Sequence, residues 1–415
     1  VLNWQRWLAR GEKKERQRMT DNRKIGAGKA VVEAFIEQDV KFVFGLAGSH
    51  VLTIFDALAD APNIRHVVVK HEGNAAFMAG MVGYLTGQPG VALVTAGPGA
   101  TNSLSGVAQA YAQSVPMVHI SGNVPLGAGN MPFHGVDRAD FVHRMFADVT
   151  KWSVRIERAK DIPGVLARAF STAASGRPGP VHVDIPINIL QTESTTLATY
   201  VPAPVERQCP PEQLVQQAAQ ALAKARRPII CAGRGVLVHH AEAELVALAE
   251  ALSAPVVYST DALGVIAEDH PLAVGSFGEF RGNLFAAQLI KESDFLFAIG
   301  LRSNTRLTDA LLLAAPPDRV FVALDEAHTL NDMGGETHIG AADSQLFLSQ
   351  LLAHTDVFSR PAEPSLRARI ARQKDAFQRG LALHLAPFEN AKPLHFGHVA
   401  RELLSQIEPD AIVVA

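Results

Sequence analysis

The chain is predicted to be an α/β protein built from two doubly wound parallel-sheet units in tandem, followed by the first elements of a third α/β unit. Three observations predict it. Short β-branched runs alternate with segments of helical period at the spacing of strand–crossover–strand units. The alternation is interrupted by QTESTTLATYVPAPVERQCPPEQ, a polar stretch rich in Thr and Pro that reads as a linker. It then resumes, and at 415 residues and 48% apolar composition the chain has material for two to three domains.

In the first unit, strands are expected from Lys41 to Leu46, Ile64 to Val69, Val91 to Thr95, Met117 to Ser121, Ser153 to Ile156 and Val181 to Ile185, because these runs are short and β-branched. Helices are expected near 26–38, 50–60, 73–86, 100–113 and 161–175. In the second unit a helix near 212–226 precedes strands at Pro228 to Ala232, Val256 to Ser259, Phe295 to Ile299 and Val320 to Leu324, with helices near 240–252, 283–292 and 343–353. The expected boundaries are an extension at 1–18, a first domain at 19–190, a linker at 191–211, a second domain at 212–357, a helix-bearing linker at 358–392 and the start of a third domain at 393–415.

Composition narrows the function classes. A net charge of −3 leaves no basic footprint for nucleic acid, and no apolar run approaches the roughly 18 residues that a bilayer span needs. Cys209 and Cys231 stand 22 positions apart without metal-ligand spacing, so a reducing cytoplasm is the expected compartment. The first eighteen residues, VLNWQRWLARGEKKERQR, lack an initiator Met and are basic. Glu12, Glu15 and the missing long apolar stretch argue against a targeting peptide, so the segment is read as lying outside the fold.

The most informative stretch runs from Lys70 to Asn102, KHEGNAAFMAGMVGYLTGQPGVALVTAGPGATN. Glu72 leaves an apolar strand and enters a helix rich in Ala and Gly. A partly desolvated carboxylate in that setting suits proton sharing with a heterocyclic nitrogen, and small neighbours leave room for a flat ring. The plainer reading is a surface Glu favoured by a helix N-terminus. In TAGPGATN, Gly97 and Gly99 permit backbone geometries closed to other residues, Pro98 stiffens the turn, and Thr101 and Asn102 are candidate caps for the next helix. The plainer reading there is an ordinary strand-to-helix loop.

The segments FGLAGSHVLTIFDAL, KHEGNAAFMAG and VALVTAGPGATN resemble the pyrimidine-binding domain of thiamine diphosphate enzymes, nearest the acetolactate synthase group. Similarity extends in order over residues 25–355, through GNVPLGAGNMPFHGVDRAD, GRPGPVHVDIP, RRPIICAGRGV, HPLAVGSFGEFRGN, FAIGLRSN and VFVALDEAHTLN. The resemblance implies thiamine diphosphate as cofactor and Glu72 as the group contacting its aminopyrimidine. It implies that Gly48, Thr95, Gly97, Pro98, Gly99 and Asn102 lie against that ring. His50 matches a loop facing the substrate side, and His134 stands where acetolactate synthases usually have Gln. Either imidazole suits proton transfer near neutral pH, and each is equally readable as a hydrogen-bonded loop histidine. His71 is expected to support the strand end.

The resemblance further implies FAD as a possible cofactor of the second unit, with Arg302 and Asp325 the matching positions. Gly233, Gly235, Gly275 and Gly278 are compatible with a dinucleotide or with simple βα packing. Mg²⁺ would be held by a GDG segment that this sequence does not contain, so no metal ligand is assigned and the chain is expected to be truncated before the diphosphate-binding domain and inactive alone. A homodimer or homotetramer is implied, because the family builds its site across two subunits. Three functions follow as alternatives: a carboligase or decarboxylase of a 2-oxo acid such as pyruvate, of acetolactate synthase type; a related lyase or acetyltransferase of benzaldehyde lyase or sulfoacetaldehyde acetyltransferase type; or a non-catalytic truncated module.

Overall fold

Parallel strands covered on both faces have no wet side, so their sequences must be apolar almost throughout. The computed structural model describes residues 25–128, 134, 140–194, 198–277, 283–301, 319–324, 336–389, 392–408 and 411. Contacts divide the chain into two units, 1–208 and 209–415. In the first, β1 (Phe42–Gly45), β2 (Arg65–Val68), β3 (Gly90–Val94), β4 (Met117–Asn123), β5 (Trp152–Arg155) and β6 (Pro180–Pro186) form a six-stranded sheet in the order β2-β1-β3-β4-β6-β5. Every pairing is parallel. β3, β4 and β6 are buried along their whole length, whereas the edge strands β2 and β5 are partly exposed.

The crossovers are α1 (Ala27–Glu37), α2 (Leu52–Ala59), α3 (Glu72–Thr86), α4 (Pro98–Ala112), α5 (Phe141–Ala147) and α6 (Ile162–Ala174). One face of the sheet packs with α1, α2 and α6 through Phe35, Ile54, Leu93, Ile120, Leu166 and Phe170. The other packs with α3, α4 and α5 through Ala76, Ala79, Val107, Met117 and Phe146. Pro98 occupies the first position of α4, where its missing N–H costs nothing. α5 lies in a stretch for which no helix was expected.

The stretch read as a linker begins as part of the first unit. Ile25–Gly26 pairs antiparallel with Glu193–Ser194, Tyr200 is buried with its hydroxyl accepting from Gln38 Nε2 at 2.6 Å, and Glu206 N–H donates to Ser175 Oγ at 2.9 Å.

In the second unit, α7 (Glu212–Lys224) precedes β7 (Pro228–Ala232), β8 (Val256–Ser259), β9 (Ala273–Phe277), β10 (Phe295–Leu301), β11 (Arg319–Leu324) and β12 (Glu336–Ala341). Their order is β9-β8-β7-β10-β11-β12, all parallel, which is the doubly wound Rossmann arrangement. β9 and β12, the two edges, were not anticipated. The helices are α8 (Glu242–Leu252), α9 (Leu284–Glu292), α10 (Ser344–Leu352), α11 (Pro364–Leu385) and α12 (Phe396–Gln406). Of α11 only Ile370 and Leu385 are buried. The expected extension at 1–18 lies outside the described residues.

A polar seam runs beneath the first sheet. His119 on β4 and His182 on β6 are register partners and fully buried. Ser103 Oγ meets His119 Nε2 at 2.8 Å, and His182 is held between Ser121 and Ser153, each at 2.9 Å. Burial lowers His119 to about 3 and His182 well below the usual histidine value. Nearby Asp184 accepts from Asn123 at 2.7 Å and is raised by burial to about 7.

Between pH 6.5 and 3 the unfolded chain takes up histidine protons that the folded unit refuses, so this stability is complete above pH 6.5 and declines on acidification. Asp184 acts in the opposite sense, keeping when folded a proton that the unfolded chain releases between about pH 4 and 7. Urea unfolding is therefore expected to show lower stability at pH 5 than at pH 7. Asp184→Asn should steepen that loss by up to about 1.4 kcal/mol per pH unit, and an unchanged slope in the variant would contradict the assignment.

Candidate functional site

Glu72 is the first residue of α3 and only 8% exposed. The surface-cap reading fails, because His71 performs the capping: its Nδ1 accepts the Gly73 N–H at 3.1 Å. What buries Glu72 is the close approach of α4. At Gly106 a methyl group would stand 2.6 Å from Ala76 Cβ, so the helices meet at a distance that a larger residue would forbid. This brings Asn102 over the start of α3, where its Nδ2 donates to Glu72 Oε2 at 3.0 Å. The second carboxylate oxygen faces the Gly99 turn, 3.6 Å from where a Cβ on Gly99 would lie.

The turn after β3 corrects two expectations. α4 begins at Pro98 with no side-chain cap, so Thr101 and Asn102 lie inside the helix. Thr101 Oγ1 donates back to Pro98 O at 3.1 Å, and Asn102 serves the carboxylate instead. Of the two glycines, Gly97 has the left-handed backbone, at φ +57°, and a Cβ there would meet His134 Cα at 2.8 Å. Gly99 is helical and matters for closeness. Thr95 is clasped between Gly48 and Gly99, whose Cβ positions would lie 2.5 and 2.8 Å from its side-chain atoms. Thr95 Oγ1 is buried without a hydrogen-bond partner among the described residues.

His50 and His134 are 84 positions apart in sequence, yet their ring centroids are 4.6 Å apart at an interplanar angle of 60°. Ser49 Oγ lies 3.1 Å from His50 Nδ1, and His134 Nδ1 is buried without a partner among the described residues. Burial, then the neighbouring His134, lowers the pKa of His50. Gly122 lets β4 pass behind this pair, since a Cβ there would sit 2.7 Å from His50 Cβ. Sequence reading did not single out Ser49 or Gly122, although a Gly inside a strand is a usable sign of close backbone approach.

All nine positions expected in the first unit therefore converge: Gly48, His50, Glu72, Thr95, Gly97, Pro98, Gly99, Asn102 and His134. They gather at the carboxyl ends of β1, β2 and β3. β1 and β3 are neighbours from which the chain leaves to opposite faces, which is where open α/β sheets have a crevice. The residues suit an aromatic nitrogen ring. The walls are small, Thr95 Oγ1 and His134 Nδ1 are unsatisfied, and a buried carboxylate presents one oxygen that no described residue hydrogen-bonds.

Residues 25–141 match the family described as thiamine pyrophosphate enzyme, N-terminal TPP binding domain, and residues 215–351 match its central domain. The chain belongs to the thiamine pyrophosphate enzyme family. Within this family it is 32% identical to the probable acetolactate synthase large subunit of Methanocaldococcus jannaschii, over 91% of this chain and 64% of that protein. It is 36% identical to the acetolactate synthase isozyme 3 large subunit of Escherichia coli, over 79% and 57%, and 33% identical to the acetolactate synthase large subunit of Corynebacterium glutamicum, over 98% and 63%. The chain thus spans about three fifths of the length of these relatives.

In the family's central domain the flavin expectation lacks described support, because Arg302, Asp325 and Gly278 lie outside the described residues. Gly233 has a packing reason: a Cβ there would stand 2.3 Å from Gly300 O. Among the described residues no group of three or more His, Cys, Asp or Glu is placed to hold a metal, and no helix is long and apolar enough to cross a membrane.

The electrostatic coupling of the two imidazoles is measurable. Proton NMR should place the His50 titration below the usual histidine value, and His134→Gln should move it upward by removing a neighbouring positive charge. An unmoved His50 titration would separate the two rings in solution.

Proposed function

We propose that the first unit is the aminopyrimidine-binding half of a thiamine diphosphate-dependent carboligase or decarboxylase acting on a 2-oxo acid such as pyruvate, of acetolactate synthase type. The observation that carries the reading is a buried Glu72, oriented by Asn102, at the mouth of the crevice lined by Gly48, Thr95 and the Gly97–Gly99 turn. When bound, thiamine diphosphate supplies the electron sink for chemistry beside a carbonyl. Glu72 holds or releases a proton at the oxygen facing the turn. Asn102 fixes which oxygen that is, and the small walls exclude water from the carboxylate. His50 and His134 are placed to exchange protons with an adding or departing carbonyl compound.

Thiamine diphosphate with Mg²⁺ is proposed as the cofactor of the assembled holoenzyme. In the assembled holoenzyme, Glu72→Gln is expected to abolish exchange of the thiazolium proton as followed by NMR, with loss of acetolactate formation from pyruvate. Unchanged exchange would remove Glu72 from the chemistry. The His50–His134 contact favours a second reading, a related lyase or acetyltransferase; normal thiazolium exchange in the wild type without acetolactate from pyruvate would select it.

A second copy of the chain is proposed as the partner. α3 is apolar nearly all round, a pattern that normally requires cover on every side, yet Phe77, Met78, Met81 and Leu85 remain exposed, Met81 by 53% and Leu85 by 57%. These residues recur at helical spacing on the helix that begins with Glu72. Met81→Glu should therefore halve the mass measured by light scattering without unfolding the protein, and a wild type that is already monomeric at working concentration would rule this interface out.

A further inference from the structure

The amino edge of the second sheet carries a cavity that the proposed chemistry does not use. It measures about 160 Å³, the space of roughly five waters. Its floor is apolar: Pro228 and Ile229 at the start of β7, Pro255 just before β8, Leu252 at the end of α8 and Leu289 on α9. Its roof is the strap at 360–366, fastened by Arg360 N–H to Ala251 O at 2.8 Å and by Glu363 N–H to Ser253 Oγ at 2.9 Å. Leu366 and Arg369 on the first turns of α11 complete the lining.

Four arginines contribute to the lining, Arg226, Arg227, Arg360 and Arg369, together with Glu292 and Glu363. Arg369 is matched: it donates to both oxygens of Glu292, at 2.6 and 2.9 Å, and holds that carboxyl down at about 2. The others are not. Arg360 is half-buried and donates to two neutral acceptors, Leu222 O at 2.5 Å and Arg226 O at 3.2 Å. Neither Arg226 nor Arg227 has a carboxylate at ion-pair distance among the described residues.

Three acids, Glu292, Asp294 and Glu363, stand among or beside these four arginines, so positive charge remains in excess. Asp294 has both oxygens occupied by the backbone N–H groups of Arg226 and Arg227, at 2.8 and 2.7 Å. Glu363 accepts from Ser365 Oγ at 2.9 Å. A wholly apolar cavity would stay dry, and a wholly charged one would hold only water and salt. An apolar floor beside arginines in excess over acids selects a molecule with both characters. Guanidinium is suited to carboxylates because its planar fork matches their two oxygens.

We propose that this cavity is a binding site for a small organic carboxylate with a short aliphatic body, on the order of five to eight non-hydrogen atoms. Its anionic end is held by Arg227 and Arg360 and its body lies on Ile229, Leu252 and Leu289. The bound molecule ties the strap to the amino edge of the sheet.

Calorimetric titration of the full chain with butanoate, acetate, butanamide and inorganic phosphate tests this. Butanoate should bind saturably, at least fivefold tighter than acetate because of the two added methylenes, while butanamide should not bind. Arg227→Gln, on an exposed side chain that the fold does not need, and Arg360→Gln should each weaken butanoate binding at least fivefold. Equal binding of butanamide would overturn the role of charge, and equal or tighter binding of acetate or phosphate would overturn the role of the apolar floor. Absence of saturation with wild type, or unweakened binding in Arg227→Gln, would refute the site.

Discussion

Two helices can lie this close only if neither carries bulk where they meet, and that restriction governs the carboxyl edge of the first sheet. Ala76 on α3 and Gly106 on α4 form such a contact. Once it is made, Asn102 has no choice of neighbour: it sits over the beginning of α3, and the Glu72 carboxylate is removed from water and given a donor in the same step. A buried carboxylate without a hydrogen bond would be strongly disfavoured. The helix contact and the polar pair therefore support each other. Beneath them, Ser103, the residue after Asn102, is bonded to His119, so α4 is secured to the sheet on its inner side as well.

Both units obey one architectural rule, in which every strand points the same way and all loops of one kind emerge at one edge. Residues far apart in sequence can then share a crevice. His134 reaches the Gly97 turn and His50 in this way, and in the second unit Gly233 and Gly300 bring β7 and β10 together at the same kind of position.

The central strands were legible because burial on both faces leaves a nearly continuous apolar run, as in Val91–Val94 or Phe295–Ile299. The edges were not. Ala273–Phe277 reads AVGSF, with Gly and Ser where a buried strand would carry branched residues, and Glu336–Ala341 reads ETHIGA, equally weak as a strand signal. Glu72 was legible for a local reason: a charge isolated among Ala and Gly is conspicuous. Asn102 was given a capping role, but the helix begins at Pro98, two residues before the expected start, which places Asn102 inside it and beside Glu72. The His50–His134 contact has no local signature at all. His119 and His182 were hidden in strands, where one polar residue between apolar neighbours looks like simple alternation.

The two-stranded clasp between Ile25–Gly26 and Glu193–Ser194 closes the first unit into a ring, its opening and final segments zipped side by side. Ala27 N–H bonded to Thr192 O adds one more tooth, at 2.9 Å. A pull arriving from later residues meets the bonds of Glu206 and Tyr200 first and reaches this zipper only after them.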